Sequence, residues 1–190
     1  VGLDIVQVDR VAPQPWKNGG GQTRELAVWP PGGPWSLRVS VADIRASGPF
    51  SAFPGVERWF NVLQGDGVLL RFPHRKLMLD ESSPPLAFDG REAPDCELPG
   101  GPTRDLNLMV RHDAGQGRMQ AVHAGEEWLS PAPWRAVFTT GPVLLQINDT
   151  DAARVPGWSL ALSTHGAHQR WRLVGDARAW WLAFEPKGQP

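Results

Sequence analysis

The chain has 190 residues, and 21 of them are Gly and 19 are Pro. That density of breakers excludes the long helices of a bundle or coiled coil, while ten Trp, seven Phe and 41% apolar residues exclude disorder. Nineteen Lys+Arg against twenty Asp+Glu leave a net charge of −1, with only two Lys, Lys17 and Lys76. This gives no electrostatic footprint for nucleic acid or an anionic membrane surface.

Short apolar or alternating segments follow one another from the N-terminus: LDIVQV, TRELAVW, WSLRVSVADI, RWFNVL, GVLLRF, DLNLMV, WRAVFTT, PVLLQI, WSLAL, WRLV and ARAWWLAF. Turn signals separate them, among them PPGGP (30–34), QGDG (64–67), ESSPP (81–85), PGGP (99–102) and SPAP (130–133). Strands at this spacing predict an all-β sandwich or barrel. No Pro-free window of twelve residues carries a 3.6-residue apolar period, although a short helical turn is compatible with 149–154. The polar, Gly-rich stretch 112–119 is the natural break, so two small β-barrels are expected, 1–115 and 116–190. Trp residues fill cores in this picture, and one of the adjacent pair Trp180–Trp181 is free to cover a dimer surface or the seam between barrels.

No apolar run reaches the ~20 residues that span a bilayer, and VGLDIVQVDR lacks a signal-peptide pattern. A single Cys, Cys96, excludes an internal disulfide framework. A cytoplasmic protein without membrane or nucleic-acid partners is expected, and a homodimer is left open.

Three segments carry chemical interest. In WKNGGGQTRELAVW (16–29), Gly19–Gly21 suit a tight turn or a nest of N–H groups for an anion. Lys17, Asn18, Thr23, Arg24 and Glu25 surround the run. It is neither a P-loop nor a dinucleotide fingerprint. In WSLRVSVAD, Arg38, Ser40 and Ala42 share one strand face and Leu37, Val39 and Val41 the other. The polar face points either to solvent or into a wet interior.

GPFSAFPGVERWFNVLQGDGVL (48–69) has the skeleton of the first cupin motif, G(x)5HxH(x)3–4E(x)6G. Ser51 and Phe53 stand where the two metal-binding His belong, and Arg58 stands at the Glu position. LPGGPTRDLNLMV (98–110) resembles the second cupin motif, with Arg104 in place of His and Asn107 one residue short. The five His (His74, His112, His123, His165 and His168) form no HxH pair on these strands, so no metal and no cofactor is expected.

Taken together, WKNGGGxTREL (16–26), GxFSxFPGVxR (48–58) and CxLxGGxxxDLNLM (96–109) are similar to the HutD family, which includes Ves-like proteins. The resemblance implies a bicupin, two cupin-like jelly-roll β-barrels packed in one chain. It also implies a regulatory protein of histidine utilisation without enzymatic activity, which binds a small carboxylate such as urocanate, formate or N-formylglutamate. Ves-like members imply a stress-related role instead. Glu57 stands where Asp is common before the Arg.

Arg58 is open to two roles. It either pairs with Glu57 or Asp105 as a structural ion pair, or it holds a ligand carboxylate, for which a guanidinium is well shaped. The resemblance favours the second. The expected binding set is Arg58 with Lys17, Asn18, Thr23, Arg24, Arg38, Ser40, Phe53, Asp105, Asn107 and Met109. Phe60 would join Phe53 and Met109 as an apolar wall. No nucleophile elbow is present, and Cys96 between Asp95 and Glu97 is a poor nucleophile. Acid–base chemistry by Glu25, Glu57 or Asp105, and an interaction module without a small ligand, are the alternatives.

Overall fold

A computed structural model describes residues 2–123, 125–149 and 151–188. In chain order the strands are β1 (Asp4–Gln7), β2 (Gln14–Pro15), β3 (Gly21–Trp29), β4 (Leu37–Ile44), β5 (Gly48–Pro49), β6 (Val56–Gln64), β7 (Val68–Arg71), β8 (Lys76–Leu79), β9 (Leu86–Asp89) and β10 (Asp95–Glu97). They continue as β11 (Thr103–Arg111), β12 (Gly115–Ala121), β13 (Glu127–Leu129), β14 (Trp134–Thr139), β15 (Val143–Ile147), β16 (Asp151–Val155), β17 (Ser159–Ser163), β18 (Arg170–Val174) and β19 (Ala179–Pro186). The helices among the described residues are two single 3₁₀ turns, Val8–Arg10 and Gly90–Glu92. None is long or apolar enough to cross a membrane. The protein is all-β, as its punctuation predicts.

The chain divides into two compact units. The first, Ala12–Ala114, carries an antiparallel six-stranded sheet in the order β2-β3-β4-β11-β6-β9 and a four-stranded sheet β5-β10-β7-β8. The sheets share one core. Ile44, Phe60, Val62 and Phe88 come from the larger sheet, and Val68, Leu70, Leu79 and Cys96 from the smaller. Alternation explains this: each strand sends every second side chain inward.

The second unit combines Val1–Val11 with Gly115–Pro190. Its sheets are β1-β17-β14-β19-β12 and β13-β18-β15-β16. Trp128, Leu145 and Trp171 meet Val137, Ala161 and Trp181 in its core. Trp128 stacks on Trp181 with ring centroids 4.8 Å apart and meets Trp171 edge-on at 5.9 Å. Of the adjacent pair, Trp181 is in this core and Trp180 packs against Phe138, and both are buried. Arg135 is also fully buried. It donates to the carbonyls of Gly166, Gln169 and Trp128 and stacks on the Trp128 and Trp171 rings.

Two sequence expectations change. The opening strand does not join the residues that follow it: β1 pairs with β17, with Ile5 opposite Ala161. Such a pairing spans most of the chain and leaves no local signal. The segment 149–154 is no helical turn. Thr150 lies outside the described residues, and Asp151–Val155 is an edge strand paired with β15, because cross-strand pairing overrides its weak helical propensity.

Candidate functional site

Register on the six-stranded sheet assembles the site. Strand β11 lies between β4 and β6, so its residues face a partner on either side. Met109 is opposite Arg38 and Arg58, Asn107 is opposite Ser40 and Phe60, and Asp105 is opposite Ala42 and Val62. These three rows lie on one face. Leu37, Val39 and Val41 take the other, so the polar side of β4 points inward.

The rows open onto a cavity of about 490 Å³ in the first unit, which Ala42 but not Asp105 reaches from the third row. Met109, Asn107, Arg38, Ser40, Arg58 and Phe60 line it, with Phe50 and Phe53 from the segment after β5. Trp16, Lys17 and Asn18 close one side from the turn that joins β2 to β3.

Arg58 is the central feature. It is only 7% exposed. Its guanidinium sits 5.0 Å from the Phe50 ring, 5.7 Å from Phe53 and 5.2 Å from Phe88. Nη2 donates to Asn107 Oδ1 at 3.2 Å, whereas Nε and Nη1 are buried with no hydrogen-bond partner among the described residues. Both expected ion-pair partners are engaged elsewhere. Glu57 Oε2 accepts from Trp59 Nε1 at 3.2 Å, and Asp105 Oδ2 accepts from Thr103 Oγ1 at 2.8 Å. Burial, reinforced by the positive Arg38, lowers the Arg58 pKa to about 10, so it stays charged at neutral pH. A buried cation with unfilled donors carries a high free energy, which an anion in the cavity relieves.

The neighbouring groups are oriented as donors. Asn107 spends its Oδ1 on Arg58, which fixes the amide and turns Nδ2 away from the guanidinium. Thr23 Oγ1 accepts from Trp16 Nε1 at 2.8 Å, so its own hydrogen is free to donate.

Of the expected set, Lys17, Asn18, Thr23, Arg38, Ser40, Phe53, Arg58, Asn107 and Met109 line the cavity. Arg24 and Asp105 do not. Arg24 points to the opposite face and bonds Asp43 at 2.7 Å, together with Gln22 at 2.9 Å and Arg104 at 2.6 Å. Burial works against the ionised Asp43, but these three donors hold its carboxyl down to about 2. Asp105 shares the inner face with Asn107 but is fully buried and does not reach the cavity. Burial pushes it up to about 8 against the Thr103 hydrogen bond, with Asp43 adding to the rise. The same burial, with Asp105 and Glu97 nearby, pushes the Cys96 thiol up to about 12.

The glycine run plays a different part from an anion nest. Gly19 N–H bonds Trp16 O at 3.0 Å and Gly20 N–H bonds Asn18 Oδ1 at 3.0 Å, so both donors are spent inside the turn. At Gly21 a Cβ would lie 2.5 Å from Asp43 O and 3.2 Å from the Trp16 ring, so the missing side chain lets Trp16 fold over the strand.

Trp16, Phe50 and Phe88 were not anticipated. Trp16 and Phe50 lie inside the motif segments, where their aromatic character was the available signal. Phe88 had none, because it reaches Arg58 as its direct cross-strand partner from edge strand β9. Among the described residues no group of three or more His, Cys, Asp and Glu is placed to hold a metal ion.

Comparison with known proteins adds to this geometry. Residues 9–181 match the model of the HutD family. An uncharacterised 21.2 kDa protein in the hutC 3′ region of Pseudomonas putida is 37% identical over 123 residues, 62% of this chain and 63% of that protein. Protein Ves of Citrobacter koseri is 35% identical over 109 residues, 56% of this chain and 57% of Ves. The chain thus matches about three fifths of the length of these curated relatives. HutD from Pseudomonas fluorescens SBW25, solved in a formate condition, superposes with a TM-score of 0.87 at 27% identity, covering 98% of this chain and 100% of that one. More distant structures share the fold alone. One is a cupin 2 conserved barrel domain protein from Leptotrichia buccalis, with a TM-score of 0.61 at 8% identity over 96% of each chain.

Proposed function

The chain belongs to the HutD family, and from that premise we propose that it binds a small carboxylate metabolite at Arg58 and acts in the regulation of histidine utilisation. The observation that carries this proposal is the buried Arg58 guanidinium, with Nε and Nη1 unfilled beside an open cavity. Charge-assisted N–H···O bonds from these donors to a carboxylate would satisfy them. Urocanate, formate and N-formylglutamate are the candidate ligands. Phe50, Phe53, Phe60 and Met109 supply the apolar wall that small-ligand sites need. A bicupin arrangement, with each two-sheet unit built as a cupin-like jelly-roll barrel, belongs to the same proposal. Its support is the set of cupin-like structural neighbours. A cytoplasmic location and a Ves-like stress role as the alternative physiology also stand as proposals.

Acid–base catalysis has less support. Asp105 is fully buried, Glu57 bonds Trp59, and Glu25 lies against Arg38. None of the three lines the cavity.

Isothermal titration with urocanate, formate and N-formylglutamate tests the proposal. At least one should bind, and Arg58→Ala should weaken binding by roughly 30-fold or more. If none binds the wild-type protein, or Arg58→Ala binds equally well, the proposal is wrong.

A further inference from the structure

We infer that the second unit holds an anion site of its own on Arg135, which the Gly166–Gln169 loop occupies and from which a small carboxylate displaces it. The inference does not depend on what Arg58 holds.

The two units repeat one strand plan. In the first, β4-β11-β6-β9 and β5-β10-β7-β8 are neighbours in that order; in the second, β12-β19-β14-β17 and β13-β18-β15-β16 are. Strand β14 thus takes the place of β6, and the registers agree row by row. The row Arg38, Met109, Arg58, Phe88 becomes Arg118, Ala183, Arg135, Ser163. In the next row Ser40, Asn107 and Phe60 become Gln120, Trp181 and Val137. Arg135 therefore stands on the same strand and in the same row as Arg58, and its row neighbour Ala183 belongs to the second unit's core.

The two guanidinium groups differ in what meets them. Arg58 borders an open cavity, whereas Arg135 meets backbone: Nη1 donates to Gly166 O and Gln169 O, and Nη2 to Trp128 O. Peptide carbonyls accept hydrogen bonds but do not cancel a charge. Burial lowers the Arg135 pKa to about 10, so it is charged at neutral pH, and no carboxylate among the described residues counters it. Arg135 Nε and the Trp181 indole Nε1, one row away, are buried with no hydrogen-bond partner among the described residues. The loop thus fills the site only in part, and a carboxylate would meet both the charge and the spare donors. Two further backbone bonds tie the loop down, Gly166 N–H to Pro133 O at 2.8 Å and His168 N–H to Ser130 O at 2.9 Å. Gly166 is the point of closest approach. A Cβ there would lie 2.9 Å from Arg135 Cδ, so any side chain at 166 parts the loop from the arginine.

The test uses the full chain carrying Arg58→Ala, so that only the second unit is read, in sodium acetate and in sodium chloride of equal ionic strength. The Gly166 and His168 amides should exchange with solvent at least about threefold faster in acetate, because anion binding adds to the population with the loop open. The Val122 N–H, bonded to Ala179 O outside the loop, should exchange equally in both salts. Adding Gly166→Ala should bring acetate affinity to about the millimolar range. Saturable shifts of the Arg135 Nε–H and Trp181 Nε1–H magnetic resonance signals report it, with Trp181→Phe assigning the indole. Equal exchange of the Gly166 and His168 amides in the two salts overturns the site, as does a folded Gly166→Ala protein whose two signals acetate leaves unchanged. If Gly166→Ala does not fold, the exchange measurement alone decides. None of these outcomes bears on carboxylate binding at Arg58.

Discussion

Arg58 and Arg135 meet the same difficulty, a guanidinium removed from water, in different ways. Arg135 donates to three backbone carbonyls and is packed between Trp rings, so it ties the Gly166–Gln169 loop to Trp128. Among the described residues Arg58 bonds only Asn107, and it is surrounded by rings that offer no acceptor oxygen. One donor set is closed and the other open, a difference that residue type and burial alone cannot reveal. Asp105 poses the opposite problem, a buried carboxyl with Oδ1 unbonded. Its pKa rises on folding from the ordinary carboxylate range to about 8. The folded state therefore holds a proton that the unfolded chain releases. This contribution to stability is fully present below about pH 4 and is lost as pH rises through about 8. Asp43 has the opposite sign. Its pKa is held at about 2, so its contribution is present above about pH 4 and lost as pH falls towards 2. Urea midpoints measured from pH 5 to 9 should fall for the wild-type protein and be flatter for Asp105→Asn. Parallel curves for the two proteins would refute the assignment.

At the scale of elements, the turns decide how closely the strands approach. The QGDG turn between β6 and β7 places Gly65 at φ +107°, a region that L side chains rarely adopt. A Cβ there would also lie 2.6 Å from Pro102 O and 3.1 Å from Thr103 Cα, backbone that opens β11. The glycine of the motif is thus needed for close packing of two segments distant in sequence. Gly65→Ala should cost about 3 kcal/mol, combining backbone strain with overpacking. Urea unfolding measures this, and a loss below about 1 kcal/mol would show that the turn relaxes freely. The motif segment around Arg58 was legible in the sequence because its Gly, Pro and Phe residues are local signals. The inward direction of Arg38 and Ser40 was not. Alternation sorts β4 into two faces but cannot say which one meets the core.

For the whole molecule, the first strand is the informative case. β1 contributes to the second unit, where it edges β17, and Val8 N–H bonds Trp158 O at 2.9 Å. Removing the first seven residues leaves the β17 edge unpaired and should destabilise the protein by about 2 kcal/mol, a few backbone hydrogen bonds at their net worth. Carboxylate binding at Arg58, in the other unit, should be unchanged. A truncated protein of wild-type stability in a urea melt would show that β1 contributes nothing.

Gly and Pro at short intervals determined the β class, because they cap the length of any element. The motif segments determined which residues to inspect, and nine of the eleven expected site residues line the cavity. Arg24 and Asp105 lie outside it for a physical reason. A side chain's face and depth depend on which strands pair and in what register, and these contacts join residues far apart in sequence. Only the tertiary structure placed Arg38, Met109 and Arg58 in one row, turned Arg24 towards Asp43, and brought Phe88 against the guanidinium. It also decided that Arg58 keeps two donors unfilled, since that depends on where every nearby acceptor already points.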